Sequence, residues 1–204
     1  MKLIVGLGNP GSPYSKTRHN IGRRLVERLG ENYRPRWKAD PNFHSHWTEV
    51  REKNTPIILA TPDTFMNESG KAVGLFIPHF KINFQSDLLI VVDDVAIPFG
   101  KLRLRASGQD GGHKGLRSVE KMLGSKSYAR LRIGIGRRAD ELNVPPDAGA
   151  THASPLTLEK YVLRPFSSKE ERELKSILER AAHACLLWAT SSVEMAMDWA
   201  NKPL

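Results

Sequence analysis

Residues 2–20 read Lys2-Leu-Ile-Val-Gly-Leu-Gly-Asn-Pro-Gly-Ser-Pro-Tyr-Ser-Lys-Thr-Arg-His-Asn20, and this stretch decides the fold. It opens with a short apolar run, Leu3 to Val5, which has the length of a buried strand. A loop rich in glycine and proline follows, which can continue neither a strand nor a long helix. His19 stands at the far end of that loop. A core strand that leads into a polar loop with a histidine is typical of functional sites in α/β proteins.

The glycines of this loop also match the dinucleotide pattern G-x-G-x-x-G, as Gly6-Leu-Gly-Asn-Pro-Gly11. A dinucleotide site requires a helix that starts inside the glycine cluster, so that its N-terminus faces the pyrophosphate. Here Pro10, Ser12 and Pro13 follow, and apolar spacing returns only at Ile21. The context therefore favours glycines that form a loop, and a nicotinamide or flavin oxidoreductase is a distant alternative.

Composition limits the classes of protein to consider. A chain of 204 residues with 40% hydrophobic residues can bury one substantial core. Its one cysteine, Cys185, excludes an internal disulfide and favours a reducing compartment, so we expect a cytoplasmic protein. We expect no signal peptide, transit peptide or membrane span, because the first strand begins at residue 2 and no apolar run approaches ~20 residues.

The net charge of +9 is concentrated in one segment of the sequence. Residues 101–138 hold 11 basic and two acidic side chains, and the rest of the chain sums to zero. A segment that carries all of the excess positive charge indicates a surface that binds a polyanion. Nucleic acid is favoured over a basic surface kept only for solubility, for which charges of mixed sign would suffice.

Strand-like and helix-like segments alternate along the chain, which predicts one α/β domain over residues 1–204. Two apolar runs, Ile57–Ala60 and Leu88–Val92, predict central strands. Two alternating segments, Lys101–Arg105 and Arg130–Ile135, predict strands whose arginines share a face.

The remaining segments are assigned by turn and capping signals. Residues 34–45 are predicted to form a loop, and His46–Arg51 an edge strand. The proline-rich residues 143–155 are predicted to form a lid loop. A capping box at Ser168-x-x-Glu171 predicts a long C-terminal helix from about residue 168.

Three candidate catalytic groups follow three predicted strands. His19 follows the first strand, Asn67 the second, and Asp93 ends the third. If these strands are parallel neighbours, their carboxyl ends converge at one edge of the sheet. A histidine beside a carboxylate is the pairing that a general base needs, because the carboxylate fixes the tautomer and stabilises the imidazolium. Taken singly, His19 also fits a surface histidine and Asp93 a turn former.

The sequence contains no convincing nucleophile. It lacks a G-x-S-x-G elbow, and Cys185 lies in an apolar helical context that does not favour a thiolate. Water activated by His19 is therefore the simplest chemistry. The combination of His44-x-His46, His113 and the Asp93-Asp94 pair lacks a recognised ligand spacing, so we expect no metal and no cofactor.

Six separated motifs carry a resemblance to one family. They are LIVGLGNPG at 3–11, TRHNIG at 17–22, PDTFMNESGKAV at 62–73, VDD at 92–94, GGHKGL at 111–116 and RLRIGIGR at 130–137. With these motifs the sequence strongly resembles the bacterial-type peptidyl-tRNA hydrolases from residue 2 to about Arg137. The resemblance continues weakly into the C-terminal helix.

The resemblance implies a monomeric, three-layer α/β/α fold of the phosphorylase/hydrolase-like type, with a mixed, twisted sheet. It implies hydrolysis of the ester that joins a peptide to the 3′ ribose of tRNA, which recycles tRNA from prematurely released peptidyl-tRNA. The implied partner is peptidyl-tRNA, contacted at its acceptor stem, 3′ CCA end and 5′ phosphate. The alternative is a catalytically silent relative that only binds RNA, as organellar splicing factors of this fold do. The presence of Asn9, His19, Asn67 and Asp93 argues against that alternative.

The resemblance also implies roles for individual residues. His19 is the base, and Asp93 holds it in its basic, correctly oriented form. Asn9 helps to distinguish peptidyl from free aminoacyl ends. The expected lining of the substrate groove is Tyr14, Phe65, Met66 and Asn67. The expected clamp on the tRNA 5′ phosphate is Arg105 and Arg132.

Lys114 departs from the family pattern, because many members have GGHNG where this chain has GGHKG. Three roles are open for it: a solvated surface lysine, a partner for a phosphate of the tRNA 3′ end, or a donor to the ester carbonyl oxygen. We expect the phosphate role, because a flexible lysine is a point charge near a helix N-terminus, which already attracts anions.

Overall fold

The computed structural model describes residues 1–136 and 158–202. The strands are β1 (Lys2–Gly6), β2 (Lys38–Asp40), β3 (Ser45–Glu52), β4 (Thr55–Pro62), β5 (Leu88–Pro98), β6 (Leu102–Arg105) and β7 (Ala129–Gly136). The α-helices are α1 (Ile21–Glu31), α2 (Ser69–His79), α3 (Phe84–Asp87), α4 (Lys114–Leu123), α5 (Leu158–Val162), α6 (Ser168–Thr190) and α7 (Val193–Ala200). The lid loop predicted for residues 143–155 lies outside the described residues.

The seven strands found in the described residues join one mixed sheet in the order β2-β3-β4-β1-β5-β7-β6. The four central strands, β4, β1, β5 and β7, are parallel, and antiparallel pairs flank them at both ends. The apolar runs of β1, β4 and β5 are buried on both faces, as parallel strands covered by helices require.

Helices cover both faces of the sheet and form two separate cores. One face packs against α1, α6 and α7, where Leu25 and Trp188 meet Leu59 and Leu89 of the sheet. The other face packs against α2 and α4, whose Phe76 and Val119 join a second cluster of buried side chains. This arrangement confirms the predicted three-layer α/β/α fold. Within the described residues, no helix combines the length and apolar composition needed to cross a bilayer.

Three local predictions are wrong. The region 34–45 is not wholly a loop, because β2 forms there and pairs with β3, so β3 is not an edge strand. The strand predicted to end at Asp93 continues to Pro98, because β7 supplies backbone partners for Asp94 and Pro98. The capping box of α6 lies one residue earlier, at Ser167 and Glu170.

Strand β6 is the last strand at one edge of the sheet, as far as the described residues show. Its side chains alternate as predicted, with the leucines buried and the arginines exposed. Its outer backbone edge is covered by a side chain. The Leu104 N–H donates to Asn201 Oδ1 at 2.8 Å, and Asn201 Nδ2 donates to the Leu104 carbonyl at 3.2 Å. The residue after α7 thus makes the two hydrogen bonds that a neighbouring strand would make.

Candidate active site

The candidate site lies at the carboxyl ends of the neighbouring strands β4, β1 and β5. These strands are parallel neighbours, so the condition stated above is met and the residues that follow β1 and β4 meet the side chain of Asp93 on β5. Together they border a cavity of about 750 Å³. Its lining includes Asn9, His19, Asn67 and His113.

His19 stands in a short 3-10 helix, Arg18–Asn20, between β1 and α1. The first turn of α1 packs so closely on β5 that a Cβ atom at Gly22 would lie 2.3 Å from the Val91 carbonyl oxygen. Glycine permits this approach because it has no Cβ. His19 Nδ1 consequently lies 2.8 Å from Asp93 Oδ1. Among the described residues, no group forms a hydrogen bond with His19 Nε2, and the ring borders the cavity.

The Asp93 residue is buried, with 2% of its surface exposed. Burial by itself raises the pKa of a carboxyl group, but electrostatic interactions and hydrogen bonds with the His19 and His113 imidazoles outweigh it. They hold the pKa of the Asp93 carboxyl well below its ordinary value. Asp93 is therefore an anion near neutral pH. It can fix the Nδ1–H tautomer of His19, which leaves the Nε2 lone pair available as a base.

His113 is a second imidazole bound to the same carboxylate, and sequence reasoning considers it only as a metal ligand. Its Nε2 atom lies 3.0 Å from Asp93 Oδ1. Its Nδ1 atom caps α4, where it accepts hydrogen bonds from the N–H groups of Gly115 at 3.1 Å and Leu116 at 3.3 Å. A signal for this role is present in the sequence, since His113 stands between two glycines and a predicted helix.

The ligand-type atoms of His19, Asp93 and His113 lie within 4.8 Å of one another, as the ligands of a metal ion would. However, both imidazoles direct a nitrogen at one carboxylate oxygen at hydrogen-bond distance. Since the His113 Nδ1 lone pair is used by α4, its Nε2 atom must carry a proton and cannot bind a metal. This donor set fits a hydrogen-bonded cluster. His46 lies elsewhere and pairs with Asp63.

Asn9 is held in place by three hydrogen bonds. Its backbone N–H donates to Asn20 Oδ1 at 2.8 Å, and its carbonyl accepts from Asn20 Nδ2 at 2.8 Å. Its side-chain Oδ1 accepts from the Met66 N–H at 2.8 Å, so its Nδ2 atom remains as a donor beside the cavity. Asn20 was not predicted as a site residue, although it joins the loop of Asn9 to the helix of His19.

The residues predicted to line a substrate groove form a wall of mixed polarity. Phe65 is 52% exposed, and its ring meets Tyr14 edge to face, with the centroids 6.2 Å apart. Met66 is buried beneath it, and Asn67 is exposed at the rim. Phe65, Met66 and Asn67 border the cavity, whereas Tyr14 reaches it only through Phe65. An exposed phenylalanine next to a cavity is available for contact with a ligand.

The two arginines predicted to clamp a phosphate have different surroundings. Arg132 borders the cavity and is already paired, since it donates to Asp94 Oδ2 at 2.9 Å and to the Gln109 carbonyl at 2.7 Å. Arg105 is exposed and lies outside the cavity. The β6–β7 register puts Arg103 directly opposite Arg132, and Arg105 diagonally across from it.

Arg130 shares the β7 face with Arg132 but has a structural role. It is 1% exposed and its guanidinium pairs with Glu120 at 3.1 Å. It also donates to the carbonyls of Gly108 and Lys126. A buried charge of this kind requires its partners, so Arg130 joins the segments on the two sides of α4.

Lys114 lies on the rim of the cavity, in the first turn of α4. Its Nζ pairs with Glu159 Oε1 of α5, and both side chains are largely exposed. The hydrogen bond from Lys114, together with its charge, lowers the pKa of the Glu159 carboxyl. The pair connects the helices on two sides of the cavity.

The fold and the site together define an α/β enzyme with a histidine–carboxylate base at the edge of its sheet. A sequence model of the family described as Peptidyl-tRNA hydrolase matches residues 3–203. The chain therefore belongs to the peptidyl-tRNA hydrolase family.

Individual relatives agree with this assignment. The chain is 40% identical to the peptidyl-tRNA hydrolase of Cytophaga hutchinsonii over 199 residues, which cover 98% of this chain and 97% of the relative. It is 36% identical to that of Aquifex aeolicus over 202 residues, covering 99% and 97%. The crystal structure of peptidyl-tRNA hydrolase from Acinetobacter baumannii has a TM-score of 0.83 at 33% identity, covering 98% of this chain and 94% of that one.

Proposed function

We propose that this protein hydrolyses the ester bond between a peptide and the 3′ ribose of tRNA, with His19 as the general base. The observation that carries the proposal is the His19 Nδ1–Asp93 hydrogen bond of 2.8 Å beside a cavity of about 750 Å³. The basic segment 101–138 includes β6, α4 and all of β7, and its Lys114, Arg117, Lys121 and Arg132 border this cavity. An uncharged ester on a polyanionic carrier suits that combination.

The chemistry follows from the His19 tautomer. His19 Nε2 takes a proton from a water molecule, whose oxygen attacks the ester carbonyl carbon. Asp93 stabilises the imidazolium that forms. When the tetrahedral intermediate collapses, its bond to the ribose 3′ oxygen breaks, and the imidazolium returns the proton to that oxygen. The products are a peptide with a free carboxyl group and tRNA with a free 3′ hydroxyl.

Asn9 is proposed to distinguish peptidyl-tRNA from aminoacyl-tRNA. The hydrogen bond from the Met66 N–H to Oδ1 fixes the orientation of the Asn9 amide, and the other amide group, Nδ2, is a donor only. A peptide or blocking-group carbonyl accepts such a bond, whereas a free α-ammonium group only donates. Phe65 and Met66 offer apolar contact to the acyl portion, and Asn67 a polar contact at the rim.

We propose a monomeric enzyme in the cytoplasm, where ribosomes release peptidyl-tRNA. The test is incubation with N-blocked aminoacyl-tRNA, with release of the acyl group as the readout. His19→Ala is expected to lower kcat by roughly 10²- to 10⁴-fold, the usual contribution of a general base. The affinity for tRNA should remain close to wild type, because binding depends on the basic segment.

A variant that keeps more than about a tenth of the wild-type kcat would remove His19 from this role. Asp93→Asn should cause a smaller loss, because its amide can present the wrong group to His19 Nδ1. Tight tRNA binding by the wild-type protein without any acyl release would instead indicate a protein that only binds RNA.

The proposed phosphate clamp predicts a selective effect of Arg105→Ala. Loss of one phosphate contact should raise KM for full-length peptidyl-tRNA and reduce the slope of log KM against log salt by roughly 0.7–0.9. A minimal substrate without the 5′ end should be almost unaffected. Arg51→Ala, on exposed β3 surface far from β6 in the sheet order, is the control.

Arg132→Ala should raise KM in the same way, with an added loss of stability because it leaves Asp94 unpaired. Equal losses on the full-length and minimal substrates would contradict the clamp and indicate a folding defect or another role.

A further inference from the structure

The Asp93 carboxylate lies between two imidazoles that use the same oxygen. His19 Nδ1 is 2.8 Å and His113 Nε2 is 3.0 Å from Asp93 Oδ1, and the two ring centroids are 5.0 Å apart. The side chains of Asp93 and His113 are 3% and 7% exposed. Water therefore has little access to these two groups, and the hydrogen bonds between them determine their orientation.

The protonation state of His113 follows from its second nitrogen. Its Nδ1 atom accepts from two N–H groups of α4, those of Gly115 and Leu116, so it carries no proton. The proton must then be on Nε2, which donates to Asp93. A second proton on Nδ1 would meet two N–H donors and the positive end of the α4 dipole. The helix terminus therefore keeps His113 neutral.

We propose that His113 is a positioning residue, whose neutral Nε2–H group holds the Asp93 carboxylate in place and limits how strongly His19 retains a proton. This proposal rests on the proposed function of the same site. The donated hydrogen bond withdraws charge from the oxygen that also faces His19. With less charge there, the His19 imidazolium is stabilised less, and His19 returns its proton more readily to the leaving oxygen.

The other charged groups that border the cavity are mostly paired with each other. Asp94 of β5 pairs with Arg132 of β7. Lys114 of α4 pairs with Glu159 of α5. Arg117 of α4 pairs with Asp110. Lys121 also borders the cavity from α4. Next to His19 in the chain, Arg18 pairs with Glu170. Within the described parts of the chain, Asp93 is the group hydrogen-bonded to His19 and His113 is the ring that packs against it.

The competing explanation is that His113 only caps α4. His113→Asn separates the two roles, because asparagine is a favoured N-cap residue but is too short to reach Asp93 as well. We expect this variant to keep its thermal midpoint and KM near wild type. We expect kcat to fall about tenfold, less than the roughly 10²- to 10⁴-fold contribution of the base itself. The acid limb of the kcat profile should move to higher pH.

His46→Asn is the matched control, because His46 also binds an aspartate, Asp63, but lies outside the cavity. It should keep the wild-type kcat and pH profile. If His113→Asn also keeps both, His113 is only a helix cap and the proposal is wrong. A lower thermal midpoint with an unchanged pH profile would overturn it as well.

A measurement on the wild-type protein tests the proposal without any turnover. Nitrogen-15 NMR of the imidazoles should show a proton on Nε2 of His113 and on Nδ1 of His19. As the pH falls, only His19 should gain a second proton. If His113 gains its second proton in the same pH range, the proposal fails whether or not the protein is active. Absence of acyl release with these tautomers intact would instead refute the proposed function.

Discussion

Lys114 carries its positive charge at the rim of the cavity, one residue after His113. In the structure that charge is paired with Glu159, and both side chains are exposed. Exposed ion pairs are weak and are easily replaced by other ions. A phosphate of the tRNA 3′ end can therefore compete with Glu159 for Lys114, and the phosphate role remains our proposal.

Two variants test this competition in opposite directions. Lys114→Met should raise KM for peptidyl-tRNA, lower its salt dependence and leave kcat at saturation unchanged. Glu159→Gln frees the lysine from its carboxylate partner, so it should lower KM at low salt. Steady-state kinetics at two salt concentrations provide both readouts.

The remaining outcomes decide between the other roles of Lys114. A lower kcat with unchanged KM in Lys114→Met would indicate a donor to the ester carbonyl oxygen. If neither kcat nor KM changes in Lys114→Met or Glu159→Gln, the Lys114–Glu159 pair has no role in substrate binding or catalysis. Lys114→Asn should keep most of the activity if the resemblance holds here, since it restores the GGHNG pattern given above.

At the scale of elements, Arg18 joins the 3-10 helix of His19 to the C-terminal helices. Its guanidinium binds both carboxylate oxygens of Glu170, at 2.7 and 3.0 Å, and donates to the Pro165 carbonyl. It also stacks against Tyr161 of α5 and Phe166. Glu170 at the same time caps α6 through Ser167. The residue before the proposed base is thus fixed by α5, α6 and the segment between them.

Glu170→Gln should therefore destabilise the protein by about 3 kcal/mol, because it leaves the Arg18 charge buried and unpaired. Its kcat should also fall, because the 3-10 helix of His19 loses an anchor. Glu171→Gln is the matched control: Glu171 binds Arg24 through two hydrogen bonds, but the pair is more exposed, so its loss should cost less than about 1 kcal/mol.

Urea unfolding and acyl release on the two variants provide the comparison. Similar losses of stability in both would show that burial of the Arg18–Glu170 pair is not what matters. If Glu170→Gln is destabilised but keeps the wild-type kcat, the Arg18–Glu170 pair supports the fold but not the site.

The central elements were predictable because their patterns are local. The apolar runs of β1, β4 and β5 and the alternation of β6 depend on burial alone. Features that depend on partners far away in the sequence were not predictable. The capping box is an example: Ser167-x-x-Glu170 and Ser168-x-x-Glu171 both fit the pattern, and the contact of Glu170 with Arg18 distinguishes them only in the folded chain. The role of His113 likewise depends on Asp93, which lies on another element.

At the scale of the whole molecule, several buried acidic protons should limit stability at high pH. Burial raises the pKa of the Cys185 thiol to about 12, and burial also raises the pKa of Tyr128. Burial and a hydrogen bond to Glu52 raise the pKa of Tyr33. In each case the folded protein retains a proton that the unfolded chain releases. The stability that these protonated groups contribute is complete below the ordinary pKa values, 9.0 for cysteine and 10.0 for tyrosine. It is lost as the pH rises through the pKa values of the folded protein.

The free energy of unfolding should therefore decrease above about pH 9, by roughly 2–4 kcal/mol from Cys185 alone at the highest pH. Urea unfolding in steps from about pH 8 to about pH 11 measures the slope. Cys185→Ala should be less stable than wild type at the lower pH but should show a shallower alkaline slope. An unchanged slope in this variant would assign the alkaline loss to other groups.

The overall architecture was predictable from the sequence, since alternating strands and helices predict an α/β domain. The approach of His19 to Asp93 followed from the sequence only on the condition that β1 and β5 are parallel neighbours, which the structure satisfies. The distribution of charge was predictable only in part. The sequence shows where the basic residues lie along the chain, but burial separates Arg130, bound to Glu120, from exposed Arg105. Which arginines are available to a phosphate depends on acidic partners supplied by other elements.

The amide of Asn201 has a consequence for the behaviour of the protein at high concentration. An unpaired strand edge is a template on which a second polypeptide can add a strand, and such addition leads to aggregation. Asn201 occupies the donor and the acceptor of Leu104 at the middle of β6. Two charged side chains, Arg103 and Arg105, flank that point. A chain that approached this edge would have to displace the amide and bury cations, so one side chain from the C-terminal region discourages self-association of the sheet.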